Sequence, residues 1–273
     1  MRWQDELISW DPFEYDIDCV SLPAHSIWKP DITLYNNRDE NYKHFLPEAT
    51  VHVCFDGSAT YSAYSIFRSS CNMNIKYYPS DDQTCNLRLS SWNHNEFELD
   101  INPQLRVLDQ NELFNDNGVW KLEGVDAWRE IEGYKSFSNP YVYAVFSIHL
   151  KRRHEFHCRF ILIPYYFCSF LISFMFFIPF ESGEKLSFGI TSVLAMTVFQ
   201  QFVAFSLPPV GNQSPVVGRY FNAVIGIGVV ALFVEIVLYK FKDKAHMKIV
   251  EIGLGICFLL ALLIALIVYV VKV

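Results

Sequence analysis

Basic residues are a minority in this sequence, which has 22 Lys and Arg against 29 Asp and Glu and a net charge of −7. A nucleic-acid partner is not expected, because binding to a phosphate backbone needs a basic surface. The sequence also has no internal repeat, no low-complexity tract and no P-loop, and no nucleophile stands out with a catalytic base beside it. We therefore expect neither an enzyme nor a cofactor.

Apolar residues make up 52% of the chain, and the charges are distributed unevenly. Residues 1–158 carry 24 acidic and 14 basic side chains, a net charge of −10, whereas residues 159–273 carry 5 acidic and 8 basic ones, a net charge of +3. This distribution is typical of a water-soluble domain followed by a membrane domain. We predict the domain boundary between residues 158 and 159.

The residues before Lys151 are predicted to form β-strands. Val51–Phe55 and Ser58–Tyr61 flank an Asp-Gly pair, which is a strong hairpin-turn signal. Alternation at period two also predicts a strand through Phe97, Leu99 and Ile101, and Tyr141–Leu150 is rich in β-branched and aromatic residues. Short strands separated by Asn, Asp, Gly and Pro favour an all-β antiparallel sandwich over a βαβ domain.

Four apolar runs in the second half of the chain approach the roughly 20 residues that span a bilayer. They are Phe160–Phe180, Leu186–Leu207, Val216–Tyr239 and Ile249–Val271. We therefore predict an all-α membrane domain of four transmembrane helices.

The orientation of these helices follows from one short loop. Between the third and fourth runs lies KFKDKAHMK, which contains four lysines, and the positive-inside rule places this loop in the cytoplasm. An odd number of crossings separates it from both ends of the chain, so we expect residues 1–158 and the C-terminus to be extracellular. The basic residues at 151–159 favour the opposite orientation, but long domains cross membranes largely regardless of their charge.

The second apolar run carries a stripe of polar side chains. Steps of three and four place six residues on one helix face, namely Ser187, Thr191, Leu194, Val198, Gln201 and Phe205. Ser, Thr and Gln gain nothing from contact with lipid, so the stripe should face other helices or water. Hydroxyls bonded to neighbouring helices would explain part of this pattern. The acidic Glu184 beside the stripe favours a pore, because a ring of carboxylates selects cations.

The cysteines differ in what they indicate. Cys71 and Cys85 enclose thirteen residues in the half predicted to be extracellular, where a disulfide would stabilise the fold by about 3 kcal/mol. Cys19 and Cys54 could form a second disulfide, but sequence does not determine connectivity and this pairing stays open.

The segment Cys71–Cys85, with YPSDDQ inside it, resembles the signature loop of the Cys-loop, or pentameric ligand-gated ion channel, family. Two further stretches, Trp28–Asn37 and Ser182–Lys185, resemble the cation-selective, nicotinic acetylcholine receptor-like branch of that family. The resemblance covers nearly the whole chain in the same order. It implies five related subunits, identical or different, around a pore that the second membrane helix of each subunit lines.

The resemblance also implies an aromatic cage that holds an amine or acetylcholine-like neurotransmitter by cation–π attraction. Tyr35, Trp92, Tyr134 and Tyr141 match its principal side, and Trp3 matches its complementary side. For any single one of these rings a place in the sandwich core is the better explanation, but five rings at matching positions favour the cage. Adjacent paired cysteines, which mark acetylcholine-binding principal subunits, are absent between Tyr134 and Tyr141, and this leaves the ligand open.

Three residues match positions that couple ligand binding to the pore in this family: Pro79 in the Cys71–Cys85 loop, Arg152 before the first membrane helix, and Pro215 after the pore helix. The implied mechanism is that this loop presses on the linker, the pore helices tilt, and the Leu194 and Val198 rings become hydrated. Because the chain starts close to Trp3 without an apolar leader, we expect an N-terminally truncated subunit whose missing strand supplies the acidic partner of Arg152.

Two further groups of residues, a His- and Cys-containing segment and Lys185, are expected to lie at the membrane interface. His154-Glu155-Phe156-His157-Cys158 lacks the HExxH spacing of zinc hydrolases, so we expect an interfacial collar and no metal site. Lys185 is expected to turn away from the pore and reach the lipid headgroups.

We therefore expect a multi-pass plasma-membrane protein, postsynaptic, that forms homo- or hetero-pentamers with related subunits in contact with membrane lipids and permeant cations. The alternative is a non-conducting or modulatory subunit that assembles with full-length relatives. The truncated start favours this alternative, and the intact pore stripe argues against it.

Overall fold

The computed structural model describes residues 1–40, 49–105, 118–135, 139–208, 213–241 and 246–272. Their contacts divide the chain into two compact units. The first contains the described parts of Met1–Asn72, Thr84–Leu113 and Gly124–His149. The second contains those of Met73–Gln83, Phe114–Glu123 and Leu150–Val273.

Eight strands in the described residues form two four-stranded sheets. The first sheet has the order β1-β5-β4-β2, and its pairs are antiparallel. The second has the order β3-β6-β8-β7. The strands are β1 (Arg2–Gln4), β2 (Cys19–Pro23), β3 (Ile32–Leu34), β4 (Thr50–Cys54), β5 (Ser58–Tyr61), β6 (Asp82–Ser91), β7 (Trp120–Glu132) and β8 (Tyr141–Arg152), with a short helix α1 (Pro12–Tyr15) after β1.

The hairpin predicted at Asp56-Gly57 is present between β4 and β5. Gly57 has φ +82°, and a Cβ there would lie 2.3 Å from the Asp5 carbonyl oxygen, so both the backbone angle and the space require glycine. Period-two alternation then buries Val51 and Val53 of β4 together with Ala59 and Tyr61 of β5. The predicted class, an all-β sandwich followed by four apolar helices, is confirmed.

The strand predicted through Phe97, Leu99 and Ile101 is wrong. The Asn95 side-chain oxygen accepts the Phe97 N–H at 3.0 Å, and the Asn95 carbonyl accepts the Leu99 N–H, also at 3.0 Å. These local bonds satisfy the backbone in a turn and compete with strand pairing. Phe97 is 77% exposed, so the alternation does not mark a buried face.

Two disulfides are present. Cys71–Cys85 is bonded as predicted, and Cys19 is bonded to Cys54, which answers the question that the sequence left open. Cys19 and Cys54 are directly opposite each other on β2 and β4, with their Cα atoms 3.9 Å apart. The two cysteines meet because of the strand register, which their separation of 35 residues along the chain does not predict.

Four helices in the described residues are long and apolar enough to cross a membrane. They are α2 (Glu155–Phe177), α3 (Lys185–Ser206), α4 (Val216–Tyr239) and α5 (Met247–Lys272). The four predicted runs agree with them to within five residues at each end. The loop that set the predicted orientation falls largely on residues 242–245, outside the described residues.

The four helices share one apolar core. The Tyr165 hydroxyl donates a hydrogen bond to the Phe221 carbonyl at 3.0 Å, and the two rings stack with centroids 3.9 Å apart, which joins α2 to α4. Phe176 stacks on Phe258 at 5.1 Å and joins α2 to α5. These aromatic pairs combine a large buried area with a defined geometry, so they set the relative positions of the helices.

Glycines bring α3 close to its neighbours. A Cβ on Gly189 would lie 2.3 Å from the Met175 sulfur and 2.6 Å from a Leu232 methyl carbon. Gly189, Met175 and Leu232 belong to three different helices, so glycine at this position permits α2, α3 and α4 to meet. At Gly226 of α4, by contrast, nothing lies within 4 Å of an added Cβ.

Gly189→Val should therefore destabilise the helix bundle by about 1–3 kcal/mol, because the added methyl groups overfill a packed contact. The control Gly226→Val adds the same atoms in open space and should change stability by less than about 1 kcal/mol. Thermal unfolding of the detergent-solubilised proteins measures both effects. Equal melting temperatures for the two variants would contradict this packing.

Candidate functional site

The polar stripe lies on the face of α3 that points away from the chain's own helix bundle. All six stripe residues are exposed in the single chain, with Leu194 at 61% and Phe205 at 85%. The opposite face is buried against the other helices through Lys185, Gly189, Ser192, Met196 and Val203. The stripe is therefore free to face water or another copy of this helix.

In the part of the chain that the structure describes, no hydrogen bond joins a hydroxyl of the stripe to a neighbouring helix. Thr191 donates its hydroxyl hydrogen to the Ser187 carbonyl at 2.8 Å, within α3 itself. This back-bonding is a common way for a helix to satisfy threonine. The stripe is consequently not explained as a set of contacts between the helices of one chain.

Glu184 lies immediately before α3 and is exposed. Its backbone carbonyl accepts the Phe188 N–H at 2.9 Å, and its own N–H donates to the Ser182 hydroxyl at 3.4 Å. Among the described residues its carboxylate has no ion-pair partner. A full negative charge is thus available at one end of the stripe.

Lys185 does not reach the lipid headgroups, and that prediction is wrong. Its ammonium group is buried, 2.8 Å from Glu235 of α4 and 3.0 Å from Glu251 of α5. A buried charge is tolerated when oppositely charged groups surround it, and here two carboxylates do so. Sequence reasoning missed both glutamates, although an ionisable residue inside an apolar run is itself a signal of function.

Four predicted ligand-binding aromatics are brought together on one side of the sandwich. The ring centroids of Tyr35 and Trp92 are 6.3 Å apart, and those of Tyr134 and Tyr141 are 6.2 Å apart. Tyr143 connects the two pairs, because its ring lies 5.3 Å from Tyr35 and its hydroxyl lies 2.6 Å from that of Tyr134. Trp92 is 67% exposed and Tyr35 is 47% exposed, so these rings do not simply fill the core.

Tyr143 was missed from the sequence, although it follows Tyr141 at the two-residue spacing that places both on one face of β8. The Arg88 guanidinium lies 4.3 Å from the Tyr143 ring and forms an ion pair of 2.7 Å with Glu132. Burial raises the pKa of Tyr143, and burial together with the hydrogen bond that it shares with Tyr143 raises the pKa of Tyr134. Both phenols are therefore neutral at physiological pH.

Trp3 is placed apart from the other four predicted ligand-binding rings. It lies on β1, in the other sheet, and its ring contacts Trp28 edge to face with centroids 6.2 Å apart. Among the described residues, no ring contact joins it to Tyr35, Trp92 or Tyr134. One chain therefore presents the four-ring group and the separate tryptophan as two surfaces. The predicted loop between Tyr134 and Tyr141 includes residues 136–138, which lie outside the described residues.

The predicted coupling residues lie in a second cluster, within the unit that contains the membrane helices. The Arg152 guanidinium donates two hydrogen bonds to the Asp81 carboxylate, at 2.7 and 3.1 Å, and lies 4.1 Å from the Trp120 ring centroid. Gln83 also donates to Asp81. The acidic partner of Arg152 is thus Asp81 and is present in the chain, so the prediction that a missing strand supplies it is wrong. Asp81 is the preferred partner because it lies close enough to accept two charge-assisted hydrogen bonds from the buried guanidinium.

The Cys71–Cys85 loop contacts the start of α4. The Val216 N–H donates to the Lys76 carbonyl at 2.9 Å, directly after Pro215, which caps the helix. Pro79 is buried and follows the fully buried Tyr78, whose pKa burial raises. Each predicted coupling residue therefore lies beside the Cys71–Cys85 loop or in it: Arg152 pairs with Asp81 and lies 5.1 Å from the Tyr78 ring centroid, Pro79 follows Tyr78, and Pro215 precedes the residue that bonds to Lys76.

No group of three or more metal-ligating side chains occurs among the residues that the structure describes. His154 immediately precedes α2 and residues 155–158 lie at its start, where the His157 ring lies edge to face against Tyr78 at 5.3 Å. This contact gives the histidine a packing role at the end of the helix.

Asp81→Ala should destabilise the protein by about 3–5 kcal/mol, because it leaves Arg152 buried without its anion. The control Asp82→Ala removes the adjacent carboxylate, which is 72% exposed and 3.9 Å from Lys151, and should cost less than about 1 kcal/mol. Surface expression and thermal unfolding report the difference. Equal losses of expression and stability in the two variants would show that the buried Asp81–Arg152 pair does not hold this region together.

Two family profiles match this chain. The neurotransmitter-gated ion-channel ligand binding domain matches residues 1–154, and the neurotransmitter-gated ion-channel transmembrane region matches residues 161–251. The two regions follow each other in the same order as the β-sheets and the apolar helices described above.

Three relatives illustrate the similarity. Neuronal acetylcholine receptor subunit alpha-9 of Gallus gallus is 37% identical over 224 residues, 81% of this chain and 45% of the relative. The alpha-9 subunit of Homo sapiens is 36% identical over 228 residues, 82% of this chain and 47% of the relative. The alpha-10 subunit of Rattus norvegicus is 36% identical over 227 residues, 81% of this chain and 49% of the relative.

The chain spans about half the length of these relatives. Its four apolar helices make it a multi-pass membrane protein. The two profile matches and the level of identity confirm the resemblance inferred from the motifs. The chain belongs to the Cys-loop family of neurotransmitter-gated ion channels, as a nicotinic acetylcholine receptor-like subunit.

Proposed function

We propose that this chain is a subunit of a pentameric, cation-selective channel that a small extracellular ligand opens. The observation that supports this most strongly is the two-faced helix α3. Its buried face is fixed by Lys185 and Gly189, and its exposed face carries Ser187, Thr191 and the rest of the stripe next to Glu184. In an assembly of five copies around an axis, this exposed face would line a central, water-filled pore.

Selection of cations is proposed to depend on Glu184. Its carboxylate is exposed and has no ion-pair partner among the described residues, so a symmetric assembly would form a negative ring. Lys185 does not cancel this ring, because its charge is held inside the bundle by Glu235 and Glu251. Residues 1–158, with a net charge of −10, would also attract cations to the outer mouth.

The ligand is proposed to be an ammonium compound, and the names of the relatives suggest acetylcholine. Tyr35, Trp92, Tyr134 and Tyr141 would form the principal side of the site, with Tyr143 fixing their positions. Neutral phenols and indoles attract ammonium through their π faces, and the raised pKa values of Tyr134 and Tyr143 keep those phenols neutral. Trp3 of a neighbouring subunit would complete the cage, consistent with its separation from the other rings in one chain.

Opening is proposed to pass through the second cluster. A shift of the Cys71–Cys85 loop would move Lys76, which holds the start of α4 after Pro215. Arg152 and Pro79 would transmit the same shift through Asp81 and Tyr78. The aliphatic Leu194 and Val198 would form the barrier in the closed pore, because hydrophobic rings gate by excluding water.

The orientation follows from the same proposal. Residues 1–158 and the C-terminus would be extracellular, and residues 159–273 would form the membrane domain of a postsynaptic plasma-membrane receptor. Assembly would be with identical or related subunits, in contact with lipids and the permeant cations.

Reversal potentials test this function. In cells that express the chain alone or with an alpha-9 relative, currents evoked by acetylcholine should follow the sodium and potassium gradients and ignore chloride. Glu184→Ala should weaken this preference, because the negative ring is lost. The control Glu181→Ala removes an exposed carboxylate from the short turn before α3 and should leave the preference unchanged.

A reversal potential that follows chloride in the unchanged channel would refute the proposed selectivity. Loss of a relative's current on co-expression, with no current from this chain, would instead favour a non-conducting subunit.

A further inference from the structure

A cavity of about 290 Å³ lies where α3 begins and α4 ends. Its walls are Gly183, Lys185, Leu186, Glu235, Ile236 and Tyr239. The cavity contains no member of the pore stripe and no residue of the aromatic group. It is larger than a single bare ion requires and near the lower limit of small-molecule sites in proteins.

The charges beside this cavity do not balance. Lys185 is the one cation that the described residues place next to Glu235 and Glu251, and the three side chains are only 5%, 3% and 7% exposed. One lysine faces two glutamates, so ionisation of both glutamates would leave a surplus negative charge inside the bundle. Burying such a charge without a partner is costly, so the site favours a further positive group.

The two glutamates differ in how they meet Lys185. Glu251 accepts a hydrogen bond from the ammonium group at 3.0 Å. Glu235 lies closer, at 2.8 Å, but neither of its oxygens accepts a hydrogen bond of normal geometry from any described residue. Contact with one ammonium group does not exhaust the acceptor capacity of Glu235, because a carboxylate can accept about four hydrogen bonds. Glu235 also lines the cavity, and Glu251 does not.

The remaining walls suit an alkyl-bearing cation. Leu186 and Ile236 supply aliphatic surface, and the Tyr239 ring, 57% exposed at the end of α4, supplies a π face. A carboxylate, an aromatic ring and aliphatic walls together recognise ammonium groups that carry hydrocarbon.

We propose that this cavity binds a primary ammonium group, which donates hydrogen bonds to the unused oxygens of Glu235. A primary ammonium has three N–H donors, whereas a quaternary ammonium has none. The same chemistry is offered by the headgroup of phosphatidylethanolamine and by soluble alkylamines. The inference does not depend on the proposed channel activity, because binding can be measured without current.

The test uses the full chain purified into lipid nanodiscs, with hexylamine and hexyltrimethylammonium as soluble probes in calorimetry. Hexylamine should bind at least about tenfold more tightly than the quaternary probe, since only the primary amine satisfies Glu235. Glu235→Gln should weaken hexylamine binding by about tenfold or more. The control Glu251→Gln removes the same charge outside the cavity wall and should change binding by less than about threefold.

A further variant tests the proposal even if the glutamate variants fail to fold. Ile236→Trp fills the cavity and leaves all three charges in place. It should abolish binding, while circular dichroism should show that the helices stay folded.

Native mass spectrometry in mixed nanodiscs distinguishes the two sources of the ammonium group, a lipid headgroup and a soluble amine. Retention of phosphatidylethanolamine over phosphatidylcholine, lost in Glu235→Gln, identifies the lipid headgroup, and binding of hexylamine without lipid retention identifies a soluble amine. Equal binding of the two probes, or equal effects of Glu235→Gln and Glu251→Gln, would overturn the proposal.

Discussion

The burial of Lys185 is the constraint on which the membrane domain depends. A lysine can be placed inside an apolar bundle only where carboxylates surround it, and α4 and α5 each supply one. This requirement fixes the rotation of α3 about its own axis. Gly189, Ser192 and Met196 then continue the buried face along the helix, and the polar stripe is directed away from the bundle. The position at which the Lys185 charge is neutralised thus determines which face of α3 is exposed.

The same physical rule operates at the Cys71–Cys85 loop. Arg152 and Asp81 are both nearly inaccessible to solvent, so neither tolerates the loss of the other. Their bidentate pair, with Trp120 stacked against the guanidinium, determines the position of residues that also hold the start of α4. Loss of either partner would leave the other charge buried and unpaired, so the two residues are constrained to stay together. In both clusters, charge pairing specifies geometry, and apolar packing provides most of the stability.

Features that depend on local periodicity could be predicted from the sequence. The hairpin at Gly57, the four apolar helices and the single face shared by Ser187 and Phe205 all follow from residue spacing. Features that depend on distant partners could not. Lys185 meets Glu251 across 66 residues, and Cys19 meets Cys54 through strand register. The incorrect strand at Phe97 shows the reverse case, in which side-chain bonds from Asn95 override a period-two pattern.

The central claim is that the exposed face of α3 lines a water-filled pore, and substituted-cysteine accessibility tests it most directly. Cysteines placed at Thr191 and Val198 should react with a charged, water-soluble methanethiosulfonate reagent, and the reaction should reduce the current. Leu186 and Ala204 are also exposed in the single chain, but they are turned about 100° from the centre of the stripe. Cysteines at these two positions should not react. Reaction at Leu186 and Ala204 as fast as at Thr191 and Val198 would show that the stripe does not line the pore.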